Sequence, residues 1–378
     1  MSFITVVGAG PVGLQAALQL KANGFDVSII EEHREIGKPV QCAGLISKQG
    51  CKELGINADE SVINEIKAAR IFSPGGVEIS IRKKETTAFV VDRFKFDQAF
   101  YKKALREKIE ISLNTKLIDI RKNSLFLETQ GRGELKKSEI IIGADGANSM
   151  VRHIVGLETA QENFLHSFQI RAKGIFNHET VELHFGDFAK GLFAWIIPEN
   201  KDIARIGLAT SMGENPAENL KAFIEKKGLV LDVLDKTGGL IPISRPLKNL
   251  CWQKTLLAGD AAFQTKASTG GGIIMGLKAA NACAKTIVNH LKNNKSLSDY
   301  NSNIAEINKE LSIHWKIHSY LNGLGNRQID ELFQKAKKAG IEEFLQEYGD
   351  MDNPSRFFGK VLGRPKLWGL LPTIWKIG

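Results

Sequence analysis

The chain has 378 residues, 43% hydrophobic and 25% charged, which suits about two or three soluble domains and excludes collagen-like, disordered and multi-span membrane proteins. Cys42, Cys51, Cys251 and Cys283 have no CxxC spacing, so a disulfide scaffold or a cysteine zinc site is not indicated and a reducing, intracellular compartment fits best. The net charge is +9, from 51 basic and 42 acidic residues, an excess that suits nucleic acid, a membrane surface or an anionic substrate.

The first 20 residues are uncharged, yet they lack the basic start of a signal peptide, and Gly8, Gly10, Pro11 and Gly13 interrupt the run. Residues 3–7 read instead as a short buried strand. Gly8-Ala9-Gly10-Pro11-Val12-Gly13 follows, then a helical pattern through Leu14, Ala17, Leu18 and Lys21 that Gly24 terminates. Residues 26–30 read as a second strand, with Glu31 at its end, 18 residues after Gly13. This context makes the GxGxxG pattern specific. Gly8 permits the turn, Gly10 lets backbone approach a pyrophosphate, and Gly13 lets the helix pack on the strand. The helix start offers free N–H groups and a positive dipole end to the phosphates. Glu31 suits two ribose hydroxyls and disfavours a 2′-phosphate, which selects FAD or NAD over NADP.

Residues 68–91 read as a hairpin turning at Pro74-Gly75-Gly76. A strand at 138–142 runs into Gly143-Ala144-Asp145-Gly146. Residues 164–176, 181–185, 192–197 and 203–210 read as successive strands, and 216–236 as a helix. A strand at 255–258 leads into Gly259-Asp260-Ala261-Ala262, then Thr269-Gly270-Gly271-Gly272 and a helix over 273–291. That is a second helix start aimed at a phosphate or a flavin edge, and the Asp260 carboxylate suits a ribityl hydroxyl. Amphipathic helix fills 297–346. His314 and His318, four apart within it, read as ordinary helix residues and no metal site is expected. No second strand–GxGxxG–helix unit is present, so no dedicated NADPH domain is expected.

Together the three spaced motifs resemble the FAD domain of the para-hydroxybenzoate hydroxylase-like flavoproteins. The resemblance implies an α/β fold: a Rossmann-like FAD-binding domain, a β-sheet substrate domain and a C-terminal helical region. It implies that Gly8, Gly10 and Gly13 hold the ADP part, beside the ribose partner Glu31, Asp145 and Gly146 the pyrophosphate region, and Asp260 the ribityl chain, with Gly270, Gly271 and Gly272 as further cofactor-binding positions at the second helix start. Val91-Asp92-Arg93-Phe94-Lys95-Phe96-Asp97 is similar to the element whose arginine meets the cofactor, which makes Arg93 the candidate. Two further segments resemble the geranylgeranyl reductase family, of the digeranylgeranylglycerophospholipid reductase type. Pro39-Val40-Gln41-Cys42 is similar to its PVxC segment, and Phe193-Ala194-Trp195-Ile196-Ile197-Pro198 to its YxWxFP segment. The chain departs from the pattern at Phe193 and Ile197, where Tyr and Phe are usual. It departs again at Phe263, where Gly is usual, and at Lys266-Ala267-Ser268-Thr269, where a Pro is usual.

The resemblance implies an FAD-dependent reductase that saturates C=C bonds of geranylgeranyl chains, in archaeal-type ether lipids or geranylgeranyl diphosphate. The alternative is an FAD-dependent hydroxylase or halogenase of the same fold. Such a reductase needs a long apolar slot, for which Phe193, Trp195 and Ile197 share one strand face. Cys42 is the candidate to deliver or relay a proton. The expected partners are a polyprenyl lipid, an electron donor (NADPH or a small carrier such as ferredoxin) and a membrane surface, with the protein cytoplasmic and peripheral to the membrane. The expected domains are 1–65, 90–155 and 250–295 for FAD, 66–89 and 156–249 for substrate, and 296–378 as the helical region.

The last 26 residues carry +5, from Arg356, Lys360, Arg364, Lys366 and Lys376, among Phe357, Phe358, Trp368 and Trp375. This tail reads either as a segment packed on the protein or as an interfacial anchor for anionic membranes. No nucleic-acid partner is expected, because no nucleic-acid-binding fold signature accompanies it.

Overall fold

Ile140–Gly143 and Ile4–Val7, apolar except for Thr5, are buried along their whole length, as strands covered on both faces must be. They pair in parallel at the centre of a six-stranded sheet in the computed structural model, which describes residues 3–122, 124–157, 160–361 and 363–370. The spatial order is Cys251–Trp252, Thr255–Leu257, Ile140–Gly143, Ile4–Val7, Val27–Ile30 and Glu110–Ser112. All pairs are parallel except the first. The helices Pro11–Ala22 and Ile273–Asn293 share its core, through Leu14, Leu18, Leu277 and Ala280. Each such leucine contributes roughly 1.5–3 kcal/mol when fully buried.

Register fixes the function of this sheet. Val7 lies beside both Gly143 and Ile30, and Gly143 beside Leu257. Gly8, Glu31, the Ala144 loop and the Gly259 loop therefore leave one edge of the sheet together. That edge, at the carboxyl ends of parallel strands, is where open α/β sheets bind ligands.

The second large sheet has seven strands, ordered Asp232–Pro242, Phe164–Lys173, Ile203–Ser211, Gly191–Pro198, Thr180–His184, Ala68–Phe72 and Glu78–Arg82. Gly191–Pro198 separates two apolar clusters. Phe193, Trp195 and Ile197 enter one, and Ala194 and Ile196 the other, the period-2 alternation of a strand.

Two sequence expectations are corrected here. The helix begun at Pro216 stops at Lys227, and Gly228 takes a left-handed φ of 62° at its end. Asp232–Pro242 is then a strand at the sheet's edge rather than more helix. Asp235, Lys236, Gly238 and Gly239 break the alternation that would have marked it. The hairpin ends at Arg82: Ala88–Val91 leaves it and pairs with Leu45–Ser47 and Val62–Ile66 in a separate three-stranded sheet.

The C-terminal helices Asn326–Lys338, Ile341–Tyr348 and Ser355–Val361 pack on the outer hairpin through Ile79, Phe333, Phe344 and Val361. Asp330 accepts hydrogen bonds from the Ser73 hydroxyl at 2.5 Å and the Gly75 N–H at 2.7 Å, which clamps the turn of that hairpin. The basic tail takes part in this packing. Val361 and Leu367 are buried, Arg356 pairs with Glu53 and Asp350, and Arg364 pairs with Glu347. Trp368 is half-exposed, whereas the side chain of Phe358, and Trp375 and Lys376, lie outside the described residues. Among the described residues no helix is long and apolar enough to cross a membrane.

Candidate active site

The first glycine loop shows why each glycine stands where it does. Gly8 has φ of 99°, and a Cβ there would overlap the Ala144 carbonyl. A Cβ at Gly13 would overlap the carbonyl oxygen of Gly8. Gly10 differs: a Cβ there would meet nothing within 4 Å and would project into a cavity that Gly10 lines. The helix Pro11–Ala22 begins at that point with no side chain capping it, so its first N–H groups face the cavity end unpaired. Glu31 does not line the cavity. One of its carboxylate oxygens accepts the Ala9 N–H at 2.7 Å, and the other the His33 N–H at 2.9 Å. The carboxylate is thereby fixed against the loop, with lone pairs remaining for further donors.

Asp145 and Gly146 divide the work. The Asp145 carboxylate turns into the protein, accepting from the Ser149 hydroxyl at 2.6 Å and the Val151 N–H at 3.0 Å. Gly146, with φ of 78° and open space at its Cβ position, lines the cavity. Asp260, Gly270, Gly271 and Gly272 line it too. A Cβ at Gly272 would come within 2.6 Å of the Asp260 Oδ1. Burial pushes the Asp260 carboxyl above the usual range, against the Thr265 hydroxyl and the charges of Arg93 and Arg152.

Arg152 is a residue whose role the sequence left unassigned. It donates to the Ala147 carbonyl at 2.6 Å and the Ala261 carbonyl at 3.1 Å, tying the second motif to the third. Its guanidinium lies 4.8 Å from the Phe263 ring centroid, a cation–π contact. Phe263 has φ of 55°, a left-handed conformation that explains why Gly is the usual residue at this point. The other departure also has a structural partner. Lys266 forms a buried ion pair with Asp352 at 2.6 Å, and Ser268 bonds the buried His314 at 2.6 Å. Burial, with the nearby Lys266 charge, pushes His314 down to about 3, so the imidazole is neutral. The loop before the glycine cluster is thus held by C-terminal residues.

Cys42 and Arg93 meet at the cavity. Arg93 opens the helix Arg93–Arg106 and pairs with Asp97 at 3.0 Å. Burial works against its charge, but the Cys42 sulfur and Asp97 more than offset this and raise it above its ordinary value. The segment carrying Cys42 is pinned from the seven-stranded sheet. Arg205 donates to the Ala43 carbonyl at 2.7 Å, and Thr237 to the Val40 carbonyl at 2.6 Å. Arg205 and Thr237 escaped the sequence reading because neither belongs to a local motif.

The cavity measures about 1340 Å³ and continues from these loops to an apolar wall. Phe193, Trp195 and Ile197 are buried within the protein fabric and line it, beside Ile66, Val181 and Leu192. The Trp195 indole N–H is satisfied by Gln169 Oε1 at 3.0 Å, so the wall presents carbon. The loop end fits FAD: open glycine positions, an uncapped helix start and a buried carboxylate meet there. The apolar end lies in the same space.

Comparison with known proteins agrees. The model of the FAD binding domain family matches residues 2–214. A digeranylgeranylglycerophospholipid reductase of Methanosarcina mazei is 30% identical over 73% of this chain and 72% of its own. That of Methanocaldococcus jannaschii is 29% identical over 87% of this chain and 89% of its own. The crystal structure of a geranylgeranyl bacteriochlorophyll reductase-like protein from Thermoplasma acidophilum superposes with a TM-score of 0.86, covering 98% of this chain and 99% of that one at 21% identity. The chain is an FAD-dependent oxidoreductase and belongs to the FAD binding domain family, in the branch of the digeranylgeranylglycerophospholipid reductases.

Proposed function

We propose that this protein saturates C=C bonds of geranylgeranyl chains, in archaeal-type ether lipids or in geranylgeranyl diphosphate. The observation that carries this reading is the single cavity joining the glycine loops to the wall of Phe193, Trp195 and Ile197. An isolated alkene needs a hydride on one carbon, a proton on the other, and little water. Reduced FAD supplies the hydride when bound. Gly10, Glu31, Arg93, Gly146, Asp260 and Gly270 to Gly272 would hold it, with Gly8, Gly13 and Asp145 shaping the two loops from behind. The wall holds the chain and keeps water out.

Cys42 is the proton donor in this scheme. Its S–H bond breaks as a C–H bond forms on the alkene, and the sulfur is left as a thiolate facing the Arg93 guanidinium. Arg93 is a positioning residue for that step, itself fixed by Asp97. Solvent returns the proton between turnovers. The electrons come from NADPH or a small carrier such as ferredoxin, and the lipid from a membrane on whose surface the protein works in the cytoplasm.

The discriminating test is anaerobic. Dithionite-reduced protein is mixed with a geranylgeranyl lipid without oxygen, and the flavin absorbance is followed. Reoxidation by the lipid alone supports the reductase. Reoxidation that waits for oxygen favours a hydroxylase or halogenase of this fold.

A further inference from the structure

Beyond the apolar wall, the cavity lining reaches a ring of backbone and side-chain contacts. The Lys48 N–H donates to the Thr87 carbonyl at 3.0 Å, and the Thr87 N–H to the Ile66 carbonyl at 2.8 Å. The Lys83 N–H donates to the Lys67 carbonyl at 2.9 Å. The Lys83 ammonium then reaches the Gly349 carbonyl at 2.6 Å. Next to Gly349, Asp350 binds Arg356 at 3.0 Å, and Arg356 binds Glu53 at 3.2 Å. Glu53 ends the helix Lys48–Glu53, which closes the ring. Lys48, Lys52, Lys67, Lys83 and Arg356 all line the cavity. Lys48 and Lys52 are exposed, so the cavity meets solvent at this ring.

The charges on the ring are unequally matched. Lys67 pairs with Glu179, and Arg356 with Glu53 and Asp350. Among the described residues, Lys48, Lys52 and Lys83 have no carboxylate within salt-bridge distance. Asp59 and Glu85 also line the cavity but are exposed and pair with none of the three. Lys83 is half-buried, and its ammonium has a neutral carbonyl as partner. Burial pulls it below the usual lysine range, against the pull of Asp350. A partly desolvated cation with no carboxylate in contact is costly, and its cost falls when an anion binds. Lys48 and Lys52, four residues apart on one helix, supply two more donors on a shared face.

We infer that Lys48, Lys52 and Lys83 form a subsite for the phosphate ester of a polyprenyl substrate, seating the anion at the solvent-facing ring while the chain runs along the apolar wall towards the flavin loops. The reductase reading above supplies the prenyl chain and leaves its head group open; the unmatched lysines place an anionic head group at this ring. Two sources share this chemistry, a phosphate on a glycerol-linked lipid and a prenyl diphosphate. Charge-assisted bonds from three ammonium groups fix the register of the chain, and so which double bond stands at the flavin.

The test compares the FAD-loaded wild type with the triple variant K48Q/K52Q/K83M. Three probes in neutral detergent are used: digeranylgeranylglyceryl phosphate, geranylgeranyl diphosphate and uncharged geranylgeraniol. Binding is read from tryptophan fluorescence, and turnover as separate kcat and KM. An unchanged flavin spectrum and melting curve show that the variant is folded. The inference expects about a tenfold or greater loss of binding for a phosphate probe, carried by KM and weakened by salt in the wild type. Geranylgeraniol should bind both proteins alike. Loss confined to one phosphate probe identifies the source. Equal loss for all three probes, or no loss for any, overturns the subsite. A wild type that binds the probes but reduces none would instead refute the reductase reading, and the binding comparison would still decide the subsite.

Discussion

The two ends of the cavity are built by different means. At the cofactor end the chain uses backbone: Gly8, Gly13 and Gly272 stand where a Cβ would strike a neighbouring loop or carboxylate. At the lipid end it uses side chains from distant segments. Residues 66–68, 181–197 and 240–242 form the wall, and 345–357 the far lining. The first solution depends on a few invariable atoms at fixed spacing. The second depends on the sum of many apolar contacts, in which single residues are exchangeable at modest cost. The loop 266–272 joins the two: a Cβ at Gly272 would meet Asp260 at the cofactor end, one at Gly270 would meet Ile241 and Leu192 of the wall, and Lys266 and Ser268 are held by the C-terminal region.

That junction is where the contrast breaks most visibly. Asp352→Asn leaves the Lys266 ammonium buried without its partner, which should cost about 3–5 kcal/mol. Urea unfolding would measure it. The double change Lys266→Met with Asp352→Leu should recover most of the loss, because both buried charges are then gone. If the double variant is as unstable as the single one, the pair is more than an electrostatic tie.

The glycine loop sharpens the contrast next. Gly13→Ala forces a methyl against the Gly8 carbonyl and should cost roughly 1–3 kcal/mol in stability as well as the cofactor. Gly10→Ala places its methyl in open space, so the melting temperature of the FAD-free protein should stay unchanged while FAD affinity falls. A matched loss of stability in both variants would remove the distinction between packing glycine and cradle glycine.

Cys42→Ala probes the meeting point of the two ends. FAD content and melting should match the wild type, and the rate of alkene reduction should fall, or the number of bonds reduced should change. Wild-type turnover with the same products would reduce Cys42 to a packing residue. The smallest effect belongs to the tail's outer face. Arg364→Ala removes an exposed pair with Glu347 and should leave the unfolding midpoint unmoved. Removing everything after Asp352 also deletes buried Val361 and Leu367, so a truncation tests folding before it tests membrane binding.

Legibility followed the same division. The strand–turn–helix context of Gly8, Gly10 and Gly13, and that of Asp260 and the glycines at 270–272, was readable because each lies in one stretch of chain. The alternation of Phe193, Trp195 and Ile197 was readable as a strand face for the same reason. Arg205 holding the Cys42 segment was not, being more than 160 residues away. Nor was Lys266 with Asp352, 86 residues apart. The strand Asp232–Pro242 was hidden by its own glycines and charges, and its place comes from the partner Phe164–Lys173. Local order leaves a pattern in sequence, whereas a contact between remote segments leaves only two unremarked residues.

The central claim is that one cavity brings a reduced flavin and a prenyl chain together. Mass spectrometry of a geranylgeranyl lipid incubated anaerobically with dithionite-reduced protein tests it most directly. The account predicts products heavier than the substrate by successive pairs of hydrogen atoms, formed by wild type and strongly reduced in Gly10→Ala. Lipid recovered at its original mass from FAD-loaded, fully reduced protein would contradict it.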